Sequence, residues 1–210
     1  IGVRGFVGRS LIPLICKHPN LSLIWISSRR LQGLTLSEAF PSLVNTINDD
    51  IIIESINHDE VESKNTDIII LALPNGLARN YVSALEKSDC RIIIDLSADY
   101  RFDPNWLYSV PEINASLFKT AQNQSPLKIS NPGCYATAMQ LAIAPIKNLI
   151  KGTAHCFGIS GYSGAGTSPQ ITNQQENLAN NIIPYALTNH LHEKEVSFHQ
   201  TSEIRFTPHV

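Results

Sequence analysis

Two short runs of aliphatic residues constrain the fold of this chain more than any other feature. Residues 67–73 and 91–96 are almost continuous in isoleucine and leucine, and such unbroken apolar strands are typical of a parallel sheet that is covered on both faces. The surrounding periodicity predicts helices at 9–18 and 76–86 and further strands at 21–27 and 51–56. Strands that alternate with helices predict the doubly wound α/β class, in which ligands bind beyond the carboxyl ends of the strands.

The second half of the chain has a different pattern. Residues 99–130 are polar and carry several prolines, whereas residues 135–149 are predicted to form a helix. A strand is predicted at 154–160, followed by a glycine-rich turn at 160–167 and a polar loop at 168–181. We predict two domains, residues 1–133 and residues 134–210.

Composition narrows the class of function. The 210 residues carry a formal net charge of −2 and no basic run, so a small molecule is a better partner than nucleic acid, and no apolar run is long enough for a membrane span. The four cysteines lie far apart without a CxxC pair, which argues against a metal site or a disulfide framework and favours a reducing compartment.

The chain opens on a glycine-rich turn where a strand would lead into a helix. Gly2, Gly5 and Gly8 are spaced GxxGxxG, and such a turn lets a pyrophosphate approach the N–H groups of a helix N-terminus. The alternative is an ordinary tight turn. Residues 27–30 read Ser-Ser-Arg-Arg where an NAD site would carry an acidic residue; hydroxyls and a guanidinium suit the 2′-phosphate of NADP, although a solvated basic turn is the simpler interpretation.

Cys134 differs from the other cysteines in its position. It follows Asn131-Pro132-Gly133 at the predicted start of a helix, where the helix dipole and unpaired N–H groups favour a thiolate. Free cysteines are more often buried apolar residues, and Cys16 fits that description. A nucleophilic thiol needs a base, and His190 and His192 are candidates, although two nearby histidines are more often surface residues.

The order of several motifs resembles the N-acetyl-gamma-glutamyl-phosphate reductase family, most closely the branch with the fungal mitochondrial enzymes and some bacterial ones. The resemblance covers essentially the whole chain. The blocks are GVRGFVG at 2–8, ISSR at 26–29, LALPNG at 71–76, DLSADYR at 95–101, SNPGCYAT at 130–137, SGYSGAG at 160–166 and FTPH at 206–209.

The resemblance implies a Rossmann-type NADP-binding domain and an α+β catalytic domain like that of semialdehyde dehydrogenases, with the chain incomplete at both ends. It also implies NADPH-dependent reduction of N-acetyl-L-glutamyl 5-phosphate to the 5-semialdehyde in arginine biosynthesis, through a cysteine thioester. A homo-oligomer, dimer or tetramer, in the cytoplasm (or the mitochondrial matrix of a fungus) is expected.

The same resemblance assigns roles to residues. Cys134 is the expected nucleophile, and His192, or else His190, is the expected acid and base. The expected cofactor-binding residues are Gly2, Arg4, Gly5, Phe6, Val7, Gly8, Ser27, Ser28, Arg29, Leu73, Pro74, Asn75, Ser163 and Gly164. The expected substrate-binding residues are Arg101, which would hold the phosphate, Asn131, Ser160 and Gly161; no metal is expected.

Three alternatives stay open at this stage. A related reductase would act on aspartyl phosphate or a carrier-linked aminoadipyl phosphate, although the block at 95–101 argues against the aspartate enzyme. Cys134 and a histidine could instead form a thiol hydrolase without a nicotinamide cofactor, or the chain could be an inactive fragment. One departure from the family pattern is Ser109, which stands where relatives carry glycine, and it matters only if the backbone there needs a positive φ.

Overall fold

The computed structural model describes residues 1–46, 50–121, 123–165, 174–200 and 203–210. The chain packs into two units, of which the first contains residues 1–99 and 123–129 and the second contains residues 100–122 and 130–210. The chain therefore passes between the units more than once, where the sequence predicts one boundary after residue 133.

The helices are α1 (Phe6–Cys16), α2 (Leu36–Ala39), α3 (Ala78–Leu85), α4 (Pro111–Asn114), α5 (Ser116–Ala121), α6 (Cys134–Ile143), α7 (Gln175–Leu178) and α8 (Leu191–His199). The strands are β1 (Ile68–Leu71), β2 (Ile92–Asp95), β3 (Leu107–Tyr108), β4 (Leu127–Ser130), β5 (Ala154–Ile159) and β6 (Ile204–His209). Short 3₁₀ turns lie at Pro41–Thr46, Val61–Ser63, Ala144–Ile146 and Tyr162–Ala165. Within the described ranges, no helix combines the length and the apolar character that a membrane crossing requires.

The first unit contains the parallel sheet that the aliphatic runs predict. Strands β1 and β2 pair in parallel from Ile68↔Ile92 to Leu71↔Asp95, and β4 lies on the other side of β2. Alternate side chains of both strands, including Ile69 and Ile93, are fully buried. The α/β fold class is therefore confirmed.

Two predicted strands of this unit form only isolated contacts. Residues 21–27 and 51–56 share a single parallel bridge, Ser27↔Glu54. The backbone of residues 21–25 forms no ladder with β1, and both segments line an apolar pocket of about 130 Å³. A strand needs a neighbouring backbone for its hydrogen bonds, so an apolar run without one stays extended but unpaired.

Helix α1 begins at Phe6, within the glycine-rich block at 2–8 and three residues earlier than predicted. Its buried residue Ile12 packs with Val3, Ile26, Leu36 and Ile53 in the core of this unit. The turn and the start of α1 are therefore fixed by a hydrophobic cluster beneath them.

The second unit is built on two parallel strands. Strands β5 and β6 pair from Ala154↔Ile204 to Ile159↔His209, and residues 183–185 add hydrogen bonds to the other edge of β6. Helices α6 and α8 cover this sheet through a core that includes Tyr135, Met139, Val196 and Phe206. This packing brings the first turns of α6 and α8 together.

Two boundaries of the second unit differ from the sequence prediction. Helix α6 ends at Ile143 and a 3₁₀ turn follows, because Pro145 lacks the N–H that would continue the helix. The predicted loop at 168–181 contains the short helix α7, and residues 168–173 lie outside the described part of the chain.

Candidate active site

Cys134 is the first residue of α6. Gly133 is the N-cap with an extended backbone and no side-chain cap, so the first N–H groups of the helix are open to a ligand or to the sulfur. Cys134 is exposed, whereas Cys90 is buried and Cys16 and Cys156 are half-buried. Burial raises the pKa of the thiols of those other three cysteines, which makes Cys134 the thiol best placed to react.

Gly133 is required by the close approach of two side chains. A Cβ atom at this position would lie 2.1 Å from Nε2 of His192 and 2.7 Å from Nη1 of Arg101. The imidazole and the guanidinium therefore lie directly against the backbone that precedes Cys134. Any larger residue would displace at least one of them.

His192 lies in the first turn of α8 with Nε2 facing Gly133. Its Nδ1 is buried and has no hydrogen-bond partner within the described ranges. Burial, followed by the nearby His190 and Arg101, lowers the pKa of His192 to about 4. The ring is therefore neutral near pH 7 and can accept a proton.

His190 has a different role in the same helix. It is the N-cap of α8, and its Nδ1 accepts the N–H of His192 at 3.1 Å. Its ring packs against the rings of Tyr135, Tyr185 and Phe206. The two histidines are thus close in space, but the ring of His190 holds the helix start and that of His192 contacts Gly133.

A buried carboxylate that the sequence reasoning missed joins these elements. Glu195 is fully buried; its Oε1 accepts the N–H of Gly133 at 2.8 Å and the hydroxyl of Tyr108 at 2.9 Å. Its Oε2 accepts Nη1 of Arg101 at 2.9 Å. The spacing His192-x-x-Glu195 is the only sequence signal for this residue, and Glu193 in the same run competes with it.

Arg101 lies beneath the turn rather than on the surface. Its side chain is 8% exposed, and Nε donates to the backbone oxygen of Asn131 at 3.1 Å. His199 lies against the same segment, with Nε2 2.6 Å from the backbone oxygen of Arg101 and its ring stacked on Tyr108. These contacts hold the guanidinium beneath the turn before Cys134, and its direct contact with a substrate phosphate stays a prediction.

The predicted substrate-binding turn at Ser160 and Gly161 follows β5. The N–H of Ser160 donates to the backbone oxygen of His209, which also accepts the hydroxyl of Tyr135 at 2.6 Å. Tyr135 follows Cys134 directly, so this shared oxygen brings the Ser160 turn to the start of α6. Ser163 and Gly164 are exposed in the following 3₁₀ turn.

The backbone tolerates Ser109 at the position where the family pattern has glycine. Ser109 does not adopt a positive φ, and its hydroxyl bonds to Oδ1 of Asn114. The departure from the family pattern therefore introduces no strain.

The predicted nucleotide turn lies in the first unit. Gly2 has a φ of +88°, and a Cβ there would lie 2.2 Å from the backbone oxygen of Ala72, so the turn needs glycine at this position. Gly5 caps α1 without a side-chain bond, and no acidic residue occupies the first turn. Arg4, Phe6 and Val7 are exposed, and Gly8 is buried against the Gly2 backbone. This open, uncapped helix start fits a phosphate group.

The other predicted cofactor residues fall into two groups. Some are used within the fold: the hydroxyl of Ser27 accepts the N–H of Ile56, Ser28 is buried, and Oδ1 of Asn75 accepts the N–H of Ala98. The exposed or partly exposed ones are Arg29, Leu73 and Pro74. Arg29 is therefore the residue of the Ser-Ser-Arg run that is best placed to meet a charged ligand.

Comparison with known proteins decides the family. Residues 1–121 match the family described as semialdehyde dehydrogenase, NAD binding domain, and residues 134–210 match the semialdehyde dehydrogenase dimerisation domain. The chain belongs to the semialdehyde dehydrogenase family. Its first unit therefore carries a nicotinamide-nucleotide-binding domain.

Similar proteins agree with the resemblance to N-acetyl-gamma-glutamyl-phosphate reductases. Over the whole chain, it is 48% identical to the protein of that name from Stenotrophomonas maltophilia and 47% identical to that from Xylella fastidiosa strain 9a5c. The chain spans 64% and 61% of these two relatives. The predicted resemblance is confirmed.

Solved structures support the fold. Aspartate semialdehyde dehydrogenase II from Vibrio cholerae superposes with a TM-score of 0.73 at 17% identity over 99% of this chain and 68% of that one. The Candida albicans enzyme, solved with NADP, gives 0.73 at 14% identity over 100% and 65%. These identities are low, so the comparison concerns the fold alone.

Proposed function

We propose that the intact protein reduces N-acetyl-L-glutamyl 5-phosphate to N-acetyl-L-glutamate 5-semialdehyde and phosphate, with NADPH, in arginine biosynthesis. The observation that carries this proposal is an exposed thiol at the open start of α6 that directly follows Gly133, the residue against which the imidazole of His192 lies. The names of the similar proteins supply the substrate. Their bacterial sources favour the cytoplasm as the compartment.

The chemistry begins at the sulfur. His192 accepts the proton of Cys134, and the thiolate attacks the acyl carbon of the acyl phosphate. The bond from that carbon to the phosphate oxygen breaks, phosphate leaves, and a thioester remains on Cys134. The open N–H groups of α6 are suited to stabilise the charge that develops beside the sulfur.

The second half of the reaction returns the cysteine to its starting state. A bound reduced nicotinamide would supply the hydride that the thioester carbon needs. Breakage of the carbon–sulfur bond in the resulting anionic hemithioacetal would release the aldehyde and leave Cys134 as a thiolate. Protonated His192 would then return its proton to that sulfur, which restores the thiol and the neutral imidazole. Asn131, Ser160 and Gly161 are the residues that we propose to orient the substrate.

The residues present fit an NADP-type cofactor. We assign its pyrophosphate to the turn of residues 2–8, with Arg4, Phe6 and Val7 exposed around it, and its 2′-phosphate to Arg29. Leu73, Pro74 and Asn75 are further proposed cofactor-binding residues of the first unit. For Ser163 and Gly164 in the second unit, the proposed cofactor-binding role rests on the family resemblance alone.

Replacing Arg29→Ala is expected to raise the KM for NADPH about tenfold and leave that for NADH unchanged, because one charge-assisted phosphate contact is lost. Arg30→Ala is the matched control, since Arg30 is the equally exposed neighbour.

The test of the function is a substrate comparison with the intact protein. Phosphate-dependent reduction of NADP is measured with N-acetylglutamate semialdehyde and, in parallel, with aspartate semialdehyde. A higher kcat/KM for the first substrate supports the proposal, and a preference for the second would assign the protein to the aspartate enzymes. A protein that binds no NADPH in a fluorescence titration would fit the thiol hydrolase alternative instead.

A further inference from the structure

We infer that Glu195 is a positioning residue for Cys134: its buried carboxylate holds the turn before the nucleophile and neutralises the guanidinium beside the proposed base. The inference rests on the proposed role of Cys134 as the nucleophile. The carboxylate of Glu195 contacts Gly133 and Arg101, and we infer that it acts on Cys134 through these two residues.

The first argument is the use of both carboxylate oxygens. Oε1 accepts two donors, the N–H of Gly133 and the hydroxyl of Tyr108, while Oε2 accepts Nη1 of Arg101. Gln140 donates to the same Tyr108 hydroxyl at 2.8 Å and so fixes its direction. A carboxylate that is fully buried needs such partners, because an unpaired buried charge is strongly unfavourable.

The second argument is the position of Gly133 in the chain. As the N-cap of α6 it sets the direction in which Cys134 enters the helix. Its N–H precedes the helical hydrogen bonds, and Glu195 is the acceptor that holds it. A hydrogen bond to a charged group is stronger than one between neutral groups, so this contact favours one orientation of the peptide.

The third argument is electrostatic. The guanidinium of Arg101 lies against Gly133 beside the imidazole of His192 and contributes to the lowered pKa of that ring. Further titratable groups facing this region, among the described residues, include His190, Glu193, His199, Tyr108 and Tyr185. Oε2 of Glu195 accepts Nη1 of Arg101, so the loss of this carboxylate would remove a buried negative charge beside the proposed acid and base.

The experiment compares three variants of the intact protein with the wild type. Glu195→Gln removes the charge but keeps the size, and Tyr108→Phe removes one donor to Oε1 but keeps the ion pair. Glu193→Gln is the matched control: Glu193 lies on the same helix, its side chain is 14% exposed, and it accepts the N–H of Phe206 at 2.7 Å. Each protein is checked for folding by its Tm.

Two measurements report on the reactivity of Cys134 rather than on the stability of the protein. The rate at which iodoacetamide alkylates Cys134 is measured against pH by mass spectrometry of the Cys134 peptide, and kcat and KM are measured by NADP reduction. For Glu195→Gln we expect the midpoint of the alkylation profile to move about one unit to lower pH, because the loss of a buried negative charge near the sulfur favours the thiolate. We expect its kcat to fall about a hundredfold with an unchanged KM for NADP.

For Tyr108→Phe we expect kcat to fall about threefold without a shift of the profile, which corresponds to one weakened hydrogen bond. Glu193→Gln is expected to lower Tm and leave both readouts at the wild-type values.

The inference is overturned if Glu195→Gln lowers Tm like the control while its alkylation profile and kcat stay at the wild-type values. If that variant does not fold, Tyr108→Phe decides, and a wild-type kcat in that variant overturns the inference. The alkylation profile needs no substrate. A wild type that fails to turn over N-acetylglutamate semialdehyde would therefore refute the proposed function while the alkylation profile still decides the role of Glu195.

Discussion

His190 and His192 differ in what their rings contact, although a single residue separates them. The ring of His190 caps α8 through Nδ1, whereas Nε2 of His192 faces Gly133. The sequence predicts that one of the two histidines is the acid and base for Cys134, and it favours His192. The structure distinguishes them by their contacts at the start of α8. That choice stays a prediction until the two residues are tested.

Substituting asparagine for each histidine separates capping from proton transfer. Asparagine is a good N-cap, so His190→Asn is expected to keep most of the activity. His192→Asn removes the proposed acid and base and is expected to lower kcat about 10²- to 10⁴-fold. The measurement is kcat for NADP reduction by both variants, and equal losses would contradict the assignment of His192.

The lowered pKa of His192 also predicts a pH dependence of stability. The folded value is about 4, whereas an unfolded histidine titrates near 6.5. Between those values the unfolded chain binds a proton that the folded chain does not. The stability from this group is therefore complete above about pH 6.5, and the free energy of unfolding falls by about 1.4 kcal/mol per pH unit as the pH drops toward 4.

Urea unfolding at a series of pH values measures that slope. His192→Asn is expected to flatten it, while His155→Asn, which changes an exposed residue of β5, is the control that should not. A slope that is unchanged in His192→Asn would show that another group causes the dependence.

At the scale of elements, the first turn of α1 is the proposed binding site for the cofactor phosphate. Helix α1 starts with an uncapped Gly5, and a Cβ there would meet only the backbone oxygen of Gly2 at 3.7 Å. The position therefore has room for a side chain, which makes the proposed phosphate site testable without damage to the fold.

Gly5→Asp is expected to raise helix stability and weaken cofactor binding together. Aspartate is a favoured N-cap, so Tm should stay level or rise, while its charge repels a pyrophosphate and should raise the Kd for NADPH at least about tenfold. Gly5→Asn is the neutral control with the same shape. Equal Kd values for the two variants in a fluorescence titration would argue against a phosphate at this helix start.

The elements also show how far the sequence alone leads. The aliphatic runs at β1 and β2 and the helix start at Cys134 could be predicted, because hydrophobic periodicity and turn residues encode them. Helix α8 could not, since the residues it turns inward are a mixture of the apolar Val196 with His192, Glu195 and His199, which gives no apolar periodicity. The segment at 21–27 has the apolar pattern of a strand, so the sequence predicts a strand there. Among the described residues its backbone has a bridge partner only at Ser27, so no ladder forms.

For the whole molecule, the match of residues 134–210 to a dimerisation domain supports our proposal of a homo-oligomer. On β5, Phe157 and Ile159 lie on one face and are 64% and 59% exposed. Adjacent exposed apolar side chains on a strand are typical of a surface that another subunit covers. The sequence alternation alone could not show that the described residues leave these two side chains exposed.

Phe157→Glu is expected to weaken the oligomer of the intact protein. Burying the new carboxylate would be unfavourable, so light scattering after size exclusion should show a smaller mass at micromolar concentration. Lys151→Glu, an exposed change before β5, is the control. An unchanged mass for Phe157→Glu would place the subunit contact elsewhere.

The residue at the position of Gly133 offers a way to distinguish active enzymes from inactive homologues. The space that its missing side chain leaves is filled by the imidazole of His192 and the guanidinium of Arg101. A paralogue with any other residue at the matching position could retain the cysteine and both histidines and still be unable to seat the imidazole there. In genome surveys, the residue at this single position would therefore mark homologues that have lost the activity although they retain the cysteine and the two histidines.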